Sequence, residues 1–307
     1  MSGGRVVIAG GTGFVGQHLT PVLRRAGFEV TILGRGKTAE RNGIRHVQWD
    51  GETVGPWADG LDGAVAIVNL AGKSINCHHT DKNRREILKS RVNSVRALGH
   101  ALAFIPKPPT VWIQASGIGV YGDTGDHVCT EEAPHGLDFT AQVCDEWEGA
   151  LAAVRTPIRK VVLRLGLVMH PNGGFLKILA RLTRLFLGGQ AGDGRQYVSW
   201  IHMADLCHMF LVSLRYAEIF GTYNACSPYP VTNAELMAEL RHALHRPWSP
   251  PVPKFAARIG SWLMGSEPSL VFASQRGVPR HFLAQDFPFD FPQLRPALEN
   301  LFQKRKP

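Results

Sequence analysis

The chain has no run of apolar residues long enough to cross a bilayer, which excludes a helical membrane protein. Cysteine is scarce. Cys77, Cys129, Cys144, Cys207 and Cys226 show no paired spacing, so a disulfide scaffold is excluded and free thiols in a reducing compartment are expected. The first apolar strand pattern begins almost at Met1, which leaves no room for a signal or transit peptide, and a cytoplasmic location is expected. No internal repeat is visible. A concentrated basic patch is also missing. The net charge is +9, but the basic residues are scattered apart from a short Lys304-Arg305-Lys306 tail. That distribution suits multiply phosphorylated small molecules better than nucleic acid. The expected partner is therefore a small molecule, with no nucleic acid and no membrane, and a homodimer left open. At 307 residues with 44% hydrophobic and 9% aromatic content, the chain can bury a sizeable core.

What the sequence does have is a phosphate-binding pattern at its start. Arg5-Val6-Val7-Ile8-Ala9 reads as a strand, followed by Gly10, Gly11, Thr12, Gly13, Phe14, Val15 and Gly16, where a helix begins. Gly10, Gly13 and Gly16 form G-x-x-G-x-x-G. Residues without Cβ allow a tight turn and let a pyrophosphate approach the backbone. The helix behind them offers its free N–H groups and positive dipole end to the anion. Strand before and helix after make this a dinucleotide pattern rather than an ordinary glycine turn.

The second strand, Glu29 to Leu33, runs into Gly34-Arg35-Gly36-Lys37. An acid at this point would bind ribose hydroxyls. Arginine suits a 2′-phosphate, so NADP is the expected cofactor. Ile44 to Asp50 reads as a third strand, with Asp50 placed to face the adenine. Ala64 to Leu70 is a fourth, ending in Leu70, Ala71 and Gly72, whose small side chains leave space for the cofactor. Cys77-His78-His79 is read as loop, because consecutive residues rarely ligate one ion, and no metal site is expected. Glu86 and Arg91 sit in the middle of the next helix, where polar groups can reach the cofactor. A fifth strand, Thr110 to Ala115, ends at Ser116, with Tyr121 just beyond. Ligands of doubly wound sheets bind past the carboxyl ends of strands, so Ser116 and Tyr121 are placed for chemistry.

A helix from Phe139 to Val154 and a sixth strand from Lys160 to Met169 complete the alternation. It implies a parallel sheet with right-handed crossovers. Pro21 should disturb the first helix, which otherwise runs from Phe14 to Ala26. After Met169 the rhythm breaks. The expected division is a nucleotide domain over 1–170, completed by about 200–226, and a mainly helical substrate side over 171–199 and 227–307. Gly192 to His202 returns to the cleft and offers Arg195, Trp200 and His202 to a substrate, Arg195 suiting an anionic group. Thr232 and Glu235 form a capping box.

The chain resembles the extended short-chain dehydrogenase/reductases, the superfamily of nucleotide-sugar epimerases. The resemblance rests on the glycine loop, Asn69-Leu70-Ala71-Gly72, Ser90-Arg91, Ser116 with Val120-Tyr121-Gly122, Cys144 to Glu148, Gly192 to Asp205 and Tyr223-Asn224-Ala225. Within that superfamily it is similar to an atypical epimerase-like subgroup, sometimes labelled cell-division-inhibitor-like. Residues 248–298 resemble the C-terminal domain of unknown function that marks this subgroup. The resemblance implies a Rossmann-type α/β fold. It implies cofactor contacts from the glycine loop, Gly34, Arg35, Leu70, Ala71, Glu86, Arg91 and Val168.

The chain departs from the superfamily in its chemistry. Working members carry Y-x-x-x-K, in which tyrosine moves the proton and lysine lowers its pKa. Aligning Glu148 with the glutamate that trails the motif puts Thr140 and Cys144 in those places. Neither can do the same work. Three readings follow: an oxidoreductase or epimerase with a rearranged relay through Ser116 and Tyr121, a catalytically silent NADP(H)-binding regulator, and a nucleic-acid-binding protein.

Overall fold

The apolar start of the chain becomes the middle of a sheet. The structure, a computed structural model, describes residues 3–303, so the Lys304-Arg305-Lys306 tail lies outside the described residues. In chain order the first half comprises β1 (Arg5–Ala9), α1 (Phe14–Arg25), β2 (Glu29–Gly34), β3 (Ala39–Arg41), β4 (Ile44–Gln48), β5 (Ala66–Asn69), α2 (Asp81–Leu102), β6 (Val111–Gly117), β7 (Val128–Cys129), α3 (Phe139–Ala153) and β8 (Arg159–Leu165). The second half comprises β9 (Leu167–Met169), α4 (Gly174–Arg184), β10 (Tyr197–Val198), β11 (Trp200–His202), α5 (Met203–Arg215), β12 (Gly221–Ala225), β13 (Val231–Thr232), α6 (Asn233–Ala243), α7 (Lys254–Leu263), α8 (Ser269–Phe272), β14 (Arg276–Gly277), α9 (Arg280–Ala284) and α10 (Leu294–Phe302).

Eight strands form the main sheet in the order β12-β8-β6-β5-β1-β2-β4-β3, all pairs parallel except the hairpin of β3 and β4. The chain builds outward from β1 through β2 and β4, then returns to lay β5 on the other side of β1. The order therefore reverses between β1 and β5, where a doubly wound sheet opens a crevice at its carboxyl edge. Burial on both faces explains the unbroken apolar strands. Val6 and Ile8 face one layer, with Leu19 and Leu23 of α1 and Leu206, Met209 and Phe210 of α5. Val7 and Ala9 face the other, with Val95 and Leu98 of α2 and Trp147 and Leu151 of α3. A third core joins α4, α6 and α10 through Leu176, Leu179, Leu236, Leu240, Leu294 and Leu298.

The structure corrects several boundaries. The sixth strand breaks at Gly166, where a Cβ would sit 2.8 Å from the Ser199 carbonyl oxygen. β9 beyond it leaves the main sheet and pairs with β11. The strand expected over Ile44 to Asp50 ends at Gln48. Pro21 lies inside α1 without ending it. Its ring forfeits one hydrogen bond, and the buried Leu19 and Leu23 on either side hold the helix to the sheet. The division of the chain also shifts, because Phe282 of α9 and Phe287 join the core under α5 and β12. Residues 280–289 thus pack on the nucleotide half rather than on the substrate side. Among the described residues, no helix is long and apolar enough to cross a membrane. All five cysteines are free.

Candidate functional site

The glycine loop sits where three strands end together. Gly10 N–H donates to the Leu33 carbonyl at 2.9 Å, and Leu70 N–H donates to the Ala9 carbonyl at 2.9 Å. Gly10 has φ +74°, and a Cβ there would lie 2.9 Å from the Ala71 backbone. A Cβ on Gly11 would lie 2.9 Å from Ile32, and one on Gly16 would overlap the Gly11 carbonyl. The protein's own packing therefore accounts for these three glycines. Gly13 differs. A Cβ there meets only the Gly10 carbonyl oxygen, at 3.2 Å. Its missing side chain leaves an open cradle at the start of α1, whose first turn has no side-chain cap and no acid. The residues present fit a pyrophosphate.

The rest of the cofactor set gathers around this loop. Thr12 is 3.7 Å from where a Gly34 Cβ would stand, which joins the loop to the end of β2. Arg35 follows, exposed, with no hydrogen bond or ion pair among the described residues. Phe14 lies against Gly173 and Gly174, and Val168 is beside them at the centre of β9. Asp50 has a local role. Its carboxylate accepts from the Glu52 and Thr53 amides and the Thr53 hydroxyl, and that hydroxyl above all holds it below the usual carboxylate range.

Glu86 and Arg91 brace the loop after β5. Arg91 Nη1 donates to the Lys73 and Ile87 carbonyls at 2.9 and 3.0 Å, and its guanidinium covers the Trp147 ring. Its Cζ would be 3.1 Å from a Gly72 Cβ. Glu86 pairs with Lys73 at 2.5 Å. The Asn69 side chain accepts from Ala71 N–H and donates to Ser94 and Gln114, fixing Leu70 and Ala71 at the crevice. The sequence reading missed Lys73, Ser94 and Gln114. The signal available was the cluster of polar residues in an otherwise apolar strand–helix pair.

Ser116 and Tyr121 stand differently from the expectation. Tyr121 is 3% exposed. Its hydroxyl donates to Asn224 Oδ1 at 2.7 Å and accepts from Arg164 Nη1 at 2.9 Å. Burial pushes its pKa up to about 12, against the pull of Arg164. Ser116 Oγ donates to Glu148 Oε1 at 2.6 Å, and Glu148 receives Arg164 Nε and Nη2 at 3.0 and 2.8 Å. Burial alone would lower Arg164, and the Glu148 carboxylate overrules it and raises it. Arg164 also meets the Glu131 carbonyl and His135 Nε2. Both expected proton carriers are thus tied into a buried network, not presented to a ligand. At the places of the missing motif, Thr140 donates to Asp138 at 2.5 Å, and the Cys144 thiol is pushed up to about 11, by burial first and Glu148 second.

Of the three expected substrate residues, the structure brings only Arg195 to a cleft. That cleft, of about 550 Å³, is lined by Arg195, Lys254 and Arg258 together with Asp123, Asp126, Asp193 and Glu267. Trp200 is fully buried, its indole N–H donating to the Tyr229 carbonyl. His202 caps α5 by accepting from Ala204 N–H and stacks on Phe291. Both point into the third core because β11 pairs with β9. A second cavity of about 250 Å³ shares Ser269 with the first and is lined by His79, Arg84, Asp138, Thr140 and Gln275. His79, set aside as loop in the sequence, belongs to this wall. Lys254 and Arg258 carried a weak signal, one helical turn apart after a proline-rich linker.

Comparison with known proteins gives the family and the fold. The model of the NAD dependent epimerase/dehydratase family matches residues 6–226, and a domain of unknown function, DUF1731, matches residues 252–301. The chain is 34% identical over 304 residues to the epimerase family protein YfhF of Bacillus subtilis, covering 98% of this chain and 99% of that protein. A crystal structure of the human epimerase family protein SDR39U1 with NADPH matches at TM-score 0.87 and 30% identity, covering 97% and 99% of the two chains. A nucleoside-diphosphate sugar epimerase from Corynebacterium glutamicum matches at TM-score 0.78 and 33% identity, over 97% of this chain and 58% of that one.

Proposed function

The chain belongs to the NAD dependent epimerase/dehydratase family, and from that premise we propose that it binds NADPH at the crevice beside β1 and acts on a small anionic carbonyl compound of the nucleotide-sugar class. The observation that carries this reading is Gly13, where a Cβ would touch the protein at one atom alone, the Gly10 carbonyl oxygen, and otherwise reach into the open space before α1. The unpaired Arg35 at the end of β2 supports a 2′-phosphate, and the structural relative with NADPH supports the same choice. Phe14 and Val15 would offer their N–H groups to the pyrophosphate, and the loop from Leu70 to Gly72 would flank the ribose side. Such a cofactor supplies hydride chemistry at a carbonyl carbon.

The substrate would lie in the cleft of Arg195, Lys254 and Arg258, where these three side chains would meet a phosphate or carboxylate and the four acids beside them would accept from hydroxyl groups. Epimerisation needs fast proton transfer in both directions. The buried, doubly bonded Tyr121 and the high thiol pKa of Cys144 argue against such a relay. Slow one-way reduction is the chemistry we assign, with hydride passing from NADPH to the carbonyl carbon and water supplying the proton to its oxygen. The commitment of both Ser116 and Tyr121 also favours a second reading, a protein that binds NADPH and a ligand without turnover.

Incubation with NADPH and a panel of carbonyl compounds, nucleotide sugars included, separates the two. We expect slow loss of NADPH absorbance with at least one of them, and no C4 epimer. Tight NADPH binding with no oxidation on any compound would leave the silent reading.

A further inference from the structure

Away from the crevice, two glutamates and a histidine meet between the sheet half and the C-terminal segment. Glu131 and Glu132 follow β7, and His281 lies in α9. One carboxylate oxygen of each glutamate and a ring nitrogen of His281 lie within 4.8 Å of one another. Glu131 is only 8% exposed. Its Oε1 accepts from Asn224 N–H at 2.9 Å and His281 N–H at 3.3 Å. Its Oε2 is buried and has no hydrogen-bond partner. A buried carboxylate oxygen left without a donor is costly unless something positive meets it.

His281 is set up to be a co-ligand of the Glu131 carboxylate. Its Nδ1 is 2.8 Å from the Thr222 carbonyl, which can only accept, so Nδ1 carries the proton. Nε2 in turn donates to Glu132 Oε1, 2.8 Å away, so the ring stands here as an imidazolium, and an ion bound at Nε2 would displace that proton. A histidine whose far nitrogen is held by a backbone carbonyl is the usual arrangement of a metal ligand. Glu132 is half exposed, held by the Thr130 hydroxyl at 2.8 Å and by Arg280 at 3.5 Å. Arg280 is itself largely exposed and free to leave.

We propose that Glu131, Glu132 and His281 bind one divalent transition-metal ion of the zinc class. The charges match once the ion has displaced the Nε2 proton, since two carboxylates then neutralise a divalent ion beside a neutral imidazole. The donor set of one nitrogen and two carboxylate oxygens suits Zn²⁺, with water in the fourth position. Donors about 2.0–2.2 Å from a tetrahedral ion stand about 3.3–3.6 Å apart, a spacing that the half-exposed Glu132 can reach by a small movement. The ion would clip the segment after β7 to α9, joining the sheet half to the C-terminal segment. This inference is independent of the cofactor reading.

The test is calorimetric titration of ZnCl₂ into the full chain stripped with chelator, for wild type, Glu132→Gln and His281→Ala. We expect one ion per chain and a rise in melting temperature on adding it. Each variant should lose more affinity than the roughly 10–100-fold seen when an outer partner of a metal site is removed. With Co²⁺ in place of Zn²⁺, the spectrum should lack a thiolate charge-transfer band. If His281→Ala does not fold, Glu132→Gln decides alone, because its side chain is half exposed and packs little. No binding in wild type, a loss of about a hundredfold or less in Glu132→Gln, or a thiolate band abolished by Cys77→Ser would each overturn the proposal.

Discussion

Tyr121 spends its hydroxyl on Asn224 and Arg164, so its removal should be felt in stability rather than in rate. Tyr121→Phe strands a buried amide oxygen and a buried guanidinium donor, which costs about 1–3 kcal/mol. Denaturant unfolding should register that loss, while NADPH affinity and any turnover stay near wild type. A collapse of turnover at unchanged stability would return the tyrosine to the mechanism. The glycines divide in the same way. Gly13→Val should fold and lose NADPH, because its side chain meets the protein only at the Gly10 carbonyl oxygen and otherwise fills the cradle. Gly16→Ala should instead lose stability through overlap with the Gly11 carbonyl. Thermal melting followed by NADPH titration on both variants reads the two effects separately. The role of Tyr121 was illegible in the sequence for a plain reason. Whether a hydroxyl is free depends on partners 43 and 103 residues away, and no local spacing reveals them. The glycine loop was legible because its requirement is local.

Among the elements, the N-terminus of α5 carries a pH-dependent contribution. Burial pushes His202 down to about 4. A histidine depressed in the folded state contributes stability above its unfolded pKa of about 6.5. That contribution is lost as pH falls from 6.5 towards 4. Asp205, fully buried and accepting from the Asp290 and Phe291 amides, runs the other way. Burial raises it to about 6, so its cost is present above pH 6 and relieved towards pH 4. The two largely offset in wild type. His202→Asn keeps an acceptor for the Ala204 amide and deletes one side of the balance. Relative to wild type, the variant should gain about 2–3 kcal/mol between pH 7 and pH 4.5. Parallel melting curves at the two pH values would refute the shift. Elements were the most legible scale. The alternation of apolar strands with helices up to β8 and the capping box of Thr232 and Glu235 were readable. The break at Gly166 and the inward turn of Trp200 and His202 were not, because both follow from β9 pairing with β11.

Over the whole molecule, the doubly wound sheet puts the glycine loop, Arg35 and the loop after β5 at one crevice, and the C-terminal segment supplies Lys254 and Arg258 to the cleft of Arg195. The fold class was readable from the rhythm of strands and helices. The packing of Phe282 and Phe287 under α5 was not, since an aromatic cluster alone does not name its neighbour. A ligand that binds only the folded chain stabilises it, so NADPH at 100 times its dissociation constant should add about 2.7 kcal/mol. A melting temperature that does not move at such a concentration would speak against the crevice as its site. The most direct measurement is calorimetry of NADPH and NADH against wild type and Arg35→Ala. We expect wild type to prefer NADPH and Arg35→Ala to lose tenfold or more of its NADPH affinity, the roughly 1.5–3 kcal/mol of a charge-assisted contact, with NADH hardly changed. Equal loss for both cofactors, or no preference in wild type, would contradict the assignment of this crevice to NADPH.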